Sequence, residues 1–166
     1  KSTRAGWLLD TSPIVEPLRT GTKVIDGLYP IGRGHRVSIS GSKSTGKTSL
    51  ALNILSHQAR ACEERSELER SRQPHHYIYL SYGQSRTSVA KLVSSLRSEE
   101  RVRDRTTLVA VTPEDSPGKQ IIGLQTALTL ASDARDSGAT TVLICDELSA
   151  YSALHEKIQR HVPILP

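Results

Sequence analysis

Eight residues constrain this chain more than any others: Gly41-Ser42-Lys43-Ser44-Thr45-Gly46-Lys47-Thr48, which set two glycines, a lysine and a hydroxyl at fixed intervals. The preceding residues, Arg36 to Ser40, alternate polar and apolar side chains, which predicts a strand. From Lys47 to about Arg70 no helix breaker occurs, and Leu50, Ile54 and Leu55 share one face, which predicts a long helix. A glycine-rich turn between such a strand and such a helix is the context that separates a phosphate loop from a chance Gly/Ser turn. Gly41 and Gly46 let the backbone bend so that successive amide N–H groups face phosphate oxygens. The helix adds its positive N-terminal end. Lys47 supplies a full charge to the β- and γ-phosphates, and the Thr48 hydroxyl can ligate Mg²⁺. Binding of a phosphorylated nucleotide along Gly41, Ser42, Lys43, Ser44, Thr45, Gly46, Lys47, Thr48 and Ser49 is therefore the primary expectation.

The remainder of the chain alternates strand and helix. Residues 1–20, with Ser12-Pro13 and Glu16-Pro17, predict an extended lead-in, because proline disfavours helix both at and before itself. Residues 21–166 are read as one nucleotide-binding domain. Within it, Thr20 to Leu28 predicts a short helix ended by Pro30 and the Gly32-Arg33-Gly34 turn. The second half of the long helix, Arg60 to Arg72, is almost entirely charged and predicts a solvated extension. A strand over Tyr77–Ser81, a helix over Thr87–Ser98 and a strand over Thr107–Thr112 follow. A helix over Lys119–Asp136, stopped by Gly138, and a strand over Thr141–Cys145 complete the pattern. Such alternation predicts an α/β fold with a mainly parallel, doubly wound sheet and helices on both faces. Val142-Leu143-Ile144-Cys145 is apolar on both faces, as a buried parallel strand requires. With no Phe, no Met and one Trp among 166 residues, the core must be aliphatic.

That last strand runs into Asp146 about a hundred residues after the phosphate loop, the usual place for a carboxylate that holds Mg²⁺ through water. The other candidate signals carry less. Cys62 and Cys145 stand far apart and form no disulfide framework. His75-His76, His155 and His161 lack partners at metal-ligand spacing, and His35 is read as structural. Arg97, Arg101, Arg103 and Arg105 mix with Glu99, Glu100 and Asp104 without aromatics for base stacking, which argues against a nucleic-acid face. No apolar run reaches the roughly 20 residues that span a bilayer. The net charge of +5 is a weak pointer to an anionic partner.

Two longer stretches resemble a known family. Glu16-Pro17-Leu18-Arg19-Thr20-Gly21-Thr22-Lys23-Val24-Ile25-Asp26, continuing through Pro30-Ile31-Gly32-Arg33-Gly34-His35-Arg36, is similar to the segment before the phosphate loop in rotary ATP synthase α subunits. Gly83-Gln84-Ser85-Arg86-Thr87-Ser88-Val89-Ala90-Lys91-Leu92-Val93 resembles the GQxRSTVAxLV stretch of the same subunits. The resemblance implies a RecA-like P-loop NTPase domain with a non-catalytic site for ATP or ADP and Mg²⁺. Gln84 would join the nucleotide-binding residues, and Thr48 and Asp146 would hold the metal. The implied partners are homologous catalytic β-type subunits and the other subunits of a proton-translocating ATP synthase, with no direct membrane span.

Catalytic β subunits, flagellar export ATPases and the Rho helicase carry glutamate where this chain has Gln84. A glutamine amide cannot act as a general base, although some GTPases orient water with one. The chain also departs from the α pattern, whose loop usually reads GDRQTGKT: Ser42, Lys43 and Ser44 differ. Ser85 replaces a common lysine, and Glu147 replaces a second aspartate. Asp146-Glu147 also resembles the pair in other ATPases whose glutamate activates water. After Tyr151 the likeness fades, and the family's N-terminal barrel and C-terminal helical domain are expected to be absent. This is the pattern of a fragment of a longer subunit or of a reduced paralogue.

Three functions follow: a non-catalytic structural and regulatory α-type component, a P-loop ATPase using Glu147 or Gln84, or an architectural paralogue with a vestigial site. The expected location is the matrix side of the mitochondrial inner membrane, or alternatively the cytoplasmic side of a bacterial plasma membrane.

Overall fold

A computed structural model describes residues 14, 16–64 and 75–161, with side chains through residue 156. In chain order the elements are β1 (Pro17–Leu18), α1 (Lys23–Leu28), β2 (Ile31–Gly32), α2 (Lys47–Glu63), β3 (His75–Tyr82), α3 (Arg86–Ser98), α4 (Glu100–Arg103), β4 (Thr106–Val111), α5 (Pro117–Asp136), β5 (Thr140–Asp146) and α6 (Leu148–His161). β1 and β2 form a small antiparallel ribbon, with Pro17 opposite Gly32, and this was not legible in the proline-rich lead-in.

The main sheet is parallel, with β3 flanked by β4 and β5. Tyr77 pairs with Thr106 on one side and Val142 on the other. Because side chains alternate along a strand, β3 feeds two cores. Tyr77 and Tyr79 pack with Leu55, Ala59, Leu92, Leu96 and Val102 from α2, α3 and α4, so the core expected to be aliphatic is instead built around buried tyrosines. Ile78, Leu80 and Tyr82 pack on the other face with Val111, Ala127, Ala150 and Tyr151, under α5 and α6. Helices therefore cover both faces of the parallel sheet, as the alternation of elements predicts. The chain leaves β3 for β4 by α3 and α4 on one face, then crosses the other face by α5 to β5. This reversal places the switch point of the strand order at the carboxyl ends of β3 and β5, the position at which ligands of open α/β sheets bind.

Element ends follow local chemistry. The Ser85 side chain accepts from the Ser88 backbone N–H at 3.3 Å and starts α3. Pro117 opens α5 two residues before the expected Lys119, because proline's fixed φ suits the first turn. Gly138, at φ 88°, follows α5 as expected.

One element differs. Residues 36–40, predicted as the strand before the phosphate loop, form no strand and take no part in a ladder among the described residues. Val37 and Ile39 stay 55% and 43% exposed. Alternation favours a half-buried pleat, and it becomes a strand only where an edge pairs with it and a face covers it. Just ahead of this segment, Arg33 Nη1 donates to Thr140 Oγ1 at 3.4 Å, at the start of β5. Helix α2 closes at Glu63, and most of its expected charged extension toward Arg72 lies outside the described residues.

Candidate functional site

The phosphate loop joins α2 at Gly46, whose φ of 89° is left-handed and would strain any residue with a side chain. The loop residues from Gly41 to Gly46 are solvent-exposed, so the loop is open to a ligand. Lys47, the first residue of the helix, folds back over it. Its Nζ donates to the Gly41 carbonyl at 2.9 Å and to the Ser42 carbonyl at 2.6 Å. Thr45 Oγ1 donates to the Ser42 carbonyl at 2.9 Å. A positive charge is thus fixed at the centre of the loop, on acceptors that phosphate oxygens can replace. Lys43, Ser44 and Ser49 lie exposed on the same segment.

Asp146 ends β5 on the same side of the sheet. Its Oδ2 accepts from Thr48 Oγ1 at 3.0 Å and from the Tyr79 hydroxyl at 2.9 Å. Sequence spacing pointed to Thr48 and Asp146, and the fold brings them together across 98 residues. It did not point to Tyr79, whose alternation matches a plain core residue such as Tyr77. The signal lies in register: Tyr79 stands opposite Ile144, two residues short of Asp146, so its ring reaches diagonally along the neighbouring strand. Burial first, and then the Asp146 charge, push the Tyr79 phenol far above its ordinary pKa, so it remains a donor.

The donor set fits Mg²⁺, which takes one or two protein oxygens and fills its octahedron with phosphate oxygens and water. Thr48 and Asp146 supply a hydroxyl and a carboxylate. No group of three or more His, Cys, Asp or Glu that could hold a metal gathers among the described residues.

Gln84 and Glu147, the two candidates for handling water, meet each other. Gln84 Nε2 donates to Glu147 Oε2 at 2.9 Å across the carboxyl ends of β3 and β5. The backbone around this pair is tightly set. Gly83 has φ 69°, and a Cβ there would lie 2.9 Å from that of Ala150. Glu147 itself has φ 68°, and Ser44 in the loop has φ 62°. Such non-glycine residues cost of order 1–3 kcal/mol each and collect at ligand sites.

Other side chains singled out from the sequence are engaged locally. His35 Nδ1 accepts from the Gly32 backbone N–H at 3.0 Å and closes the turn after β2. Arg101 pairs with Glu63, Arg103 with Asp104, and Arg105 Nη1 donates to Cys62 Sγ.

This loop, carboxylate and strand order agree with a comparison of sequences: residues 21–163 match the ATP synthase alpha/beta family, nucleotide-binding domain. The chain belongs to that family. This ATP synthase-family domain is 33% identical over 155 residues to a protein named ATP synthase subunit alpha in Rickettsia bellii. It is 34% identical over 155 residues to the protein of the same name in Ehrlichia ruminantium. Each match covers 93% of this chain but only 29% or 30% of the relative. The ATP synthase-family domain thus spans under a third of those subunits. Both relatives are bacterial, which lends no support to the mitochondrial placement expected from the sequence.

Proposed function

We propose that this chain binds Mg²⁺-ATP or Mg²⁺-ADP without hydrolysing it, as the alpha-type component of a rotary, proton-translocating ATP synthase. The observation that carries the reading is the convergence of Lys47, Thr48 and Asp146 at the carboxyl ends of the sheet, with the Gln84 amide standing where catalytic relatives carry a carboxylate. Lys47 and the loop amides take the phosphates, Thr48 and Asp146 hold the metal, and Gln84 borders the site without a base to offer. Mg²⁺, when bound, neutralises the phosphate oxygens. The role is structural and regulatory: bound nucleotide stiffens the domain beside catalytic beta-type subunits. No helix among the described residues is long and apolar enough to cross a membrane. The domain belongs to the membrane-extrinsic part of its complex, on the matrix side of the mitochondrial inner membrane or the cytoplasmic side of a bacterial plasma membrane.

Calorimetric titration of the full chain with MgADP and MgATP tests the reading. Wild type gives saturable binding, and Lys47→Ala loses about 10- to 100-fold, the worth of charge-assisted bonds to phosphate. Absence of binding by wild type would remove this function and leave an architectural role.

A second reading rests on Glu147, whose backbone is left-handed and whose carboxylate accepts from Gln84. A partner-activated ATPase would use it to take the proton of the attacking water. Turnover in the presence of beta-type subunits that Glu147→Gln abolishes, while MgADP binding persists, would favour that reading.

A further inference from the structure

Tyr79 belongs to neither the phosphate loop nor the metal-holding pair, yet its hydroxyl ends on the carboxylate between them. Its side chain is 0% exposed. It is wedged into the core cluster that contains Leu55 and Ala59 of α2, the helix that the phosphate loop opens. Asp146 Oδ2 therefore has two hydroxyl donors of different character. Thr48 is exposed, lies on the first turn of α2, and has to serve a metal ion as well as Asp146. Tyr79 is immobilised by packing and donates to Asp146 from within the core. A carboxylate at the end of a strand can rotate freely unless something fixes it, and metal sites depend on such outer partners to orient the ligand.

We propose that Tyr79 is a positioning residue for Mg²⁺-nucleotide: its buried phenol fixes the rotation of the Asp146 carboxylate so that Asp146 and Thr48 present their oxygens together. The proposal rests on the nucleotide-binding reading above. The Tyr79 hydroxyl donates to the metal-holding carboxylate, so its effect falls on the metal-dependent part of binding.

The test compares full-length wild type with Tyr79→Phe, using fluorescent ADP titrated once with Mg²⁺ and once with EDTA. Loss of an outer partner weakens metal binding by about tenfold or more, so Y79F binds MgADP about tenfold more weakly, with metal-free ADP within about twofold of wild type. In the Asp146→Asn background the same substitution has no further effect on MgADP. Equal losses with and without Mg²⁺ would mark a packing role and overturn the proposal, as would unchanged MgADP affinity. If Y79F fails to fold, 4-fluorophenylalanine at position 79 fills the hydroxyl's volume without donating and is held to the same criteria. Wild type that binds ADP equally with and without Mg²⁺ overturns the Tyr79 proposal alone. Wild type that binds neither form overturns the nucleotide reading as well.

Discussion

Asp26 ties the start of the domain together through one carboxylate. It accepts from the Thr20 backbone N–H at 2.8 Å, the Thr20 hydroxyl at 2.7 Å and the Gly21 N–H at 3.0 Å. These bonds, the Thr20 hydroxyl first, hold its carboxyl below the ordinary value of 3.8. A lowered folded-state pKa means the unfolded chain binds the proton more readily. The stabilisation is therefore complete above pH 3.8 and is lost as pH falls through the lower folded value. Asp26→Asn should cost about 1 kcal/mol at neutral pH, where it weakens bonds to a charged acceptor. Denaturant unfolding at stepped pH checks this: the gap between wild type and variant stays constant at neutral pH and closes in acid. A gap that persists unchanged in acid would refute the ionic origin. Individual residues were legible where chemistry fixes spacing, as at Lys47, Thr48 and Asp146. They were not where a fold-level contact decides the role. Ser85 reads as a missing lysine, but its hydroxyl caps α3, and the charge count could not show that.

At the scale of elements, α5 sits close against β4 because Gly123 faces Val111. A Cβ on Gly123 would stand 2.2 Å from Val111 Cγ2, and Val111 is only 4% exposed. Gly123→Ala gains up to about 1 kcal/mol in helix propensity but overpacks the interface by about 1–3 kcal/mol. We expect a net loss of about 1–2 kcal/mol. Val111→Ala removes the clashing methyl, so the double variant should be less damaged than the sum of the singles, a coupling that a double-mutant cycle reads directly. Strict additivity would show that the helix and strand do not meet as described. Helices α1, α2, α3 and α5 and strands β3 to β5 were legible within a few residues, because breakers and periodicity mark them locally. The β1–β2 ribbon, α4, α6 and the segment before the phosphate loop were not. Residues 36–40 have strand alternation without a strand, since pairing is a property of the partner edge and not of the sequence. Helix α6 was obscured because the family likeness fades after Tyr151, although Leu148, Tyr151 and Leu154 already stand at helical spacing.

On the scale of the whole molecule, ligand binding and folding share a thermodynamic link. The phosphate loop opens α2, α2 packs through Leu55 and Ala59 on Tyr79, and Tyr79 holds Asp146, so the two halves of the site close through one core. A ligand that binds only the folded chain stabilises it by about 2.7 kcal/mol at a hundred times its Kd. For a chain of this size that raises Tm by about 5–11 °C. The free-energy increment depends on the ratio of ligand concentration to Kd, whatever the stability of the unliganded fold. Gly123→Ala acts on the opposite face of the sheet from α2, so it should start from a lower Tm and gain as much free energy from MgADP as wild type does. Lys47→Ala, by contrast, should start near the wild-type Tm and gain little. Differential scanning calorimetry of the three proteins across an MgADP series separates the cases. A gain that shrinks in Gly123→Ala would show that the two cores are coupled to the site. A full gain in Lys47→Ala would mean that the nucleotide binds somewhere other than the loop.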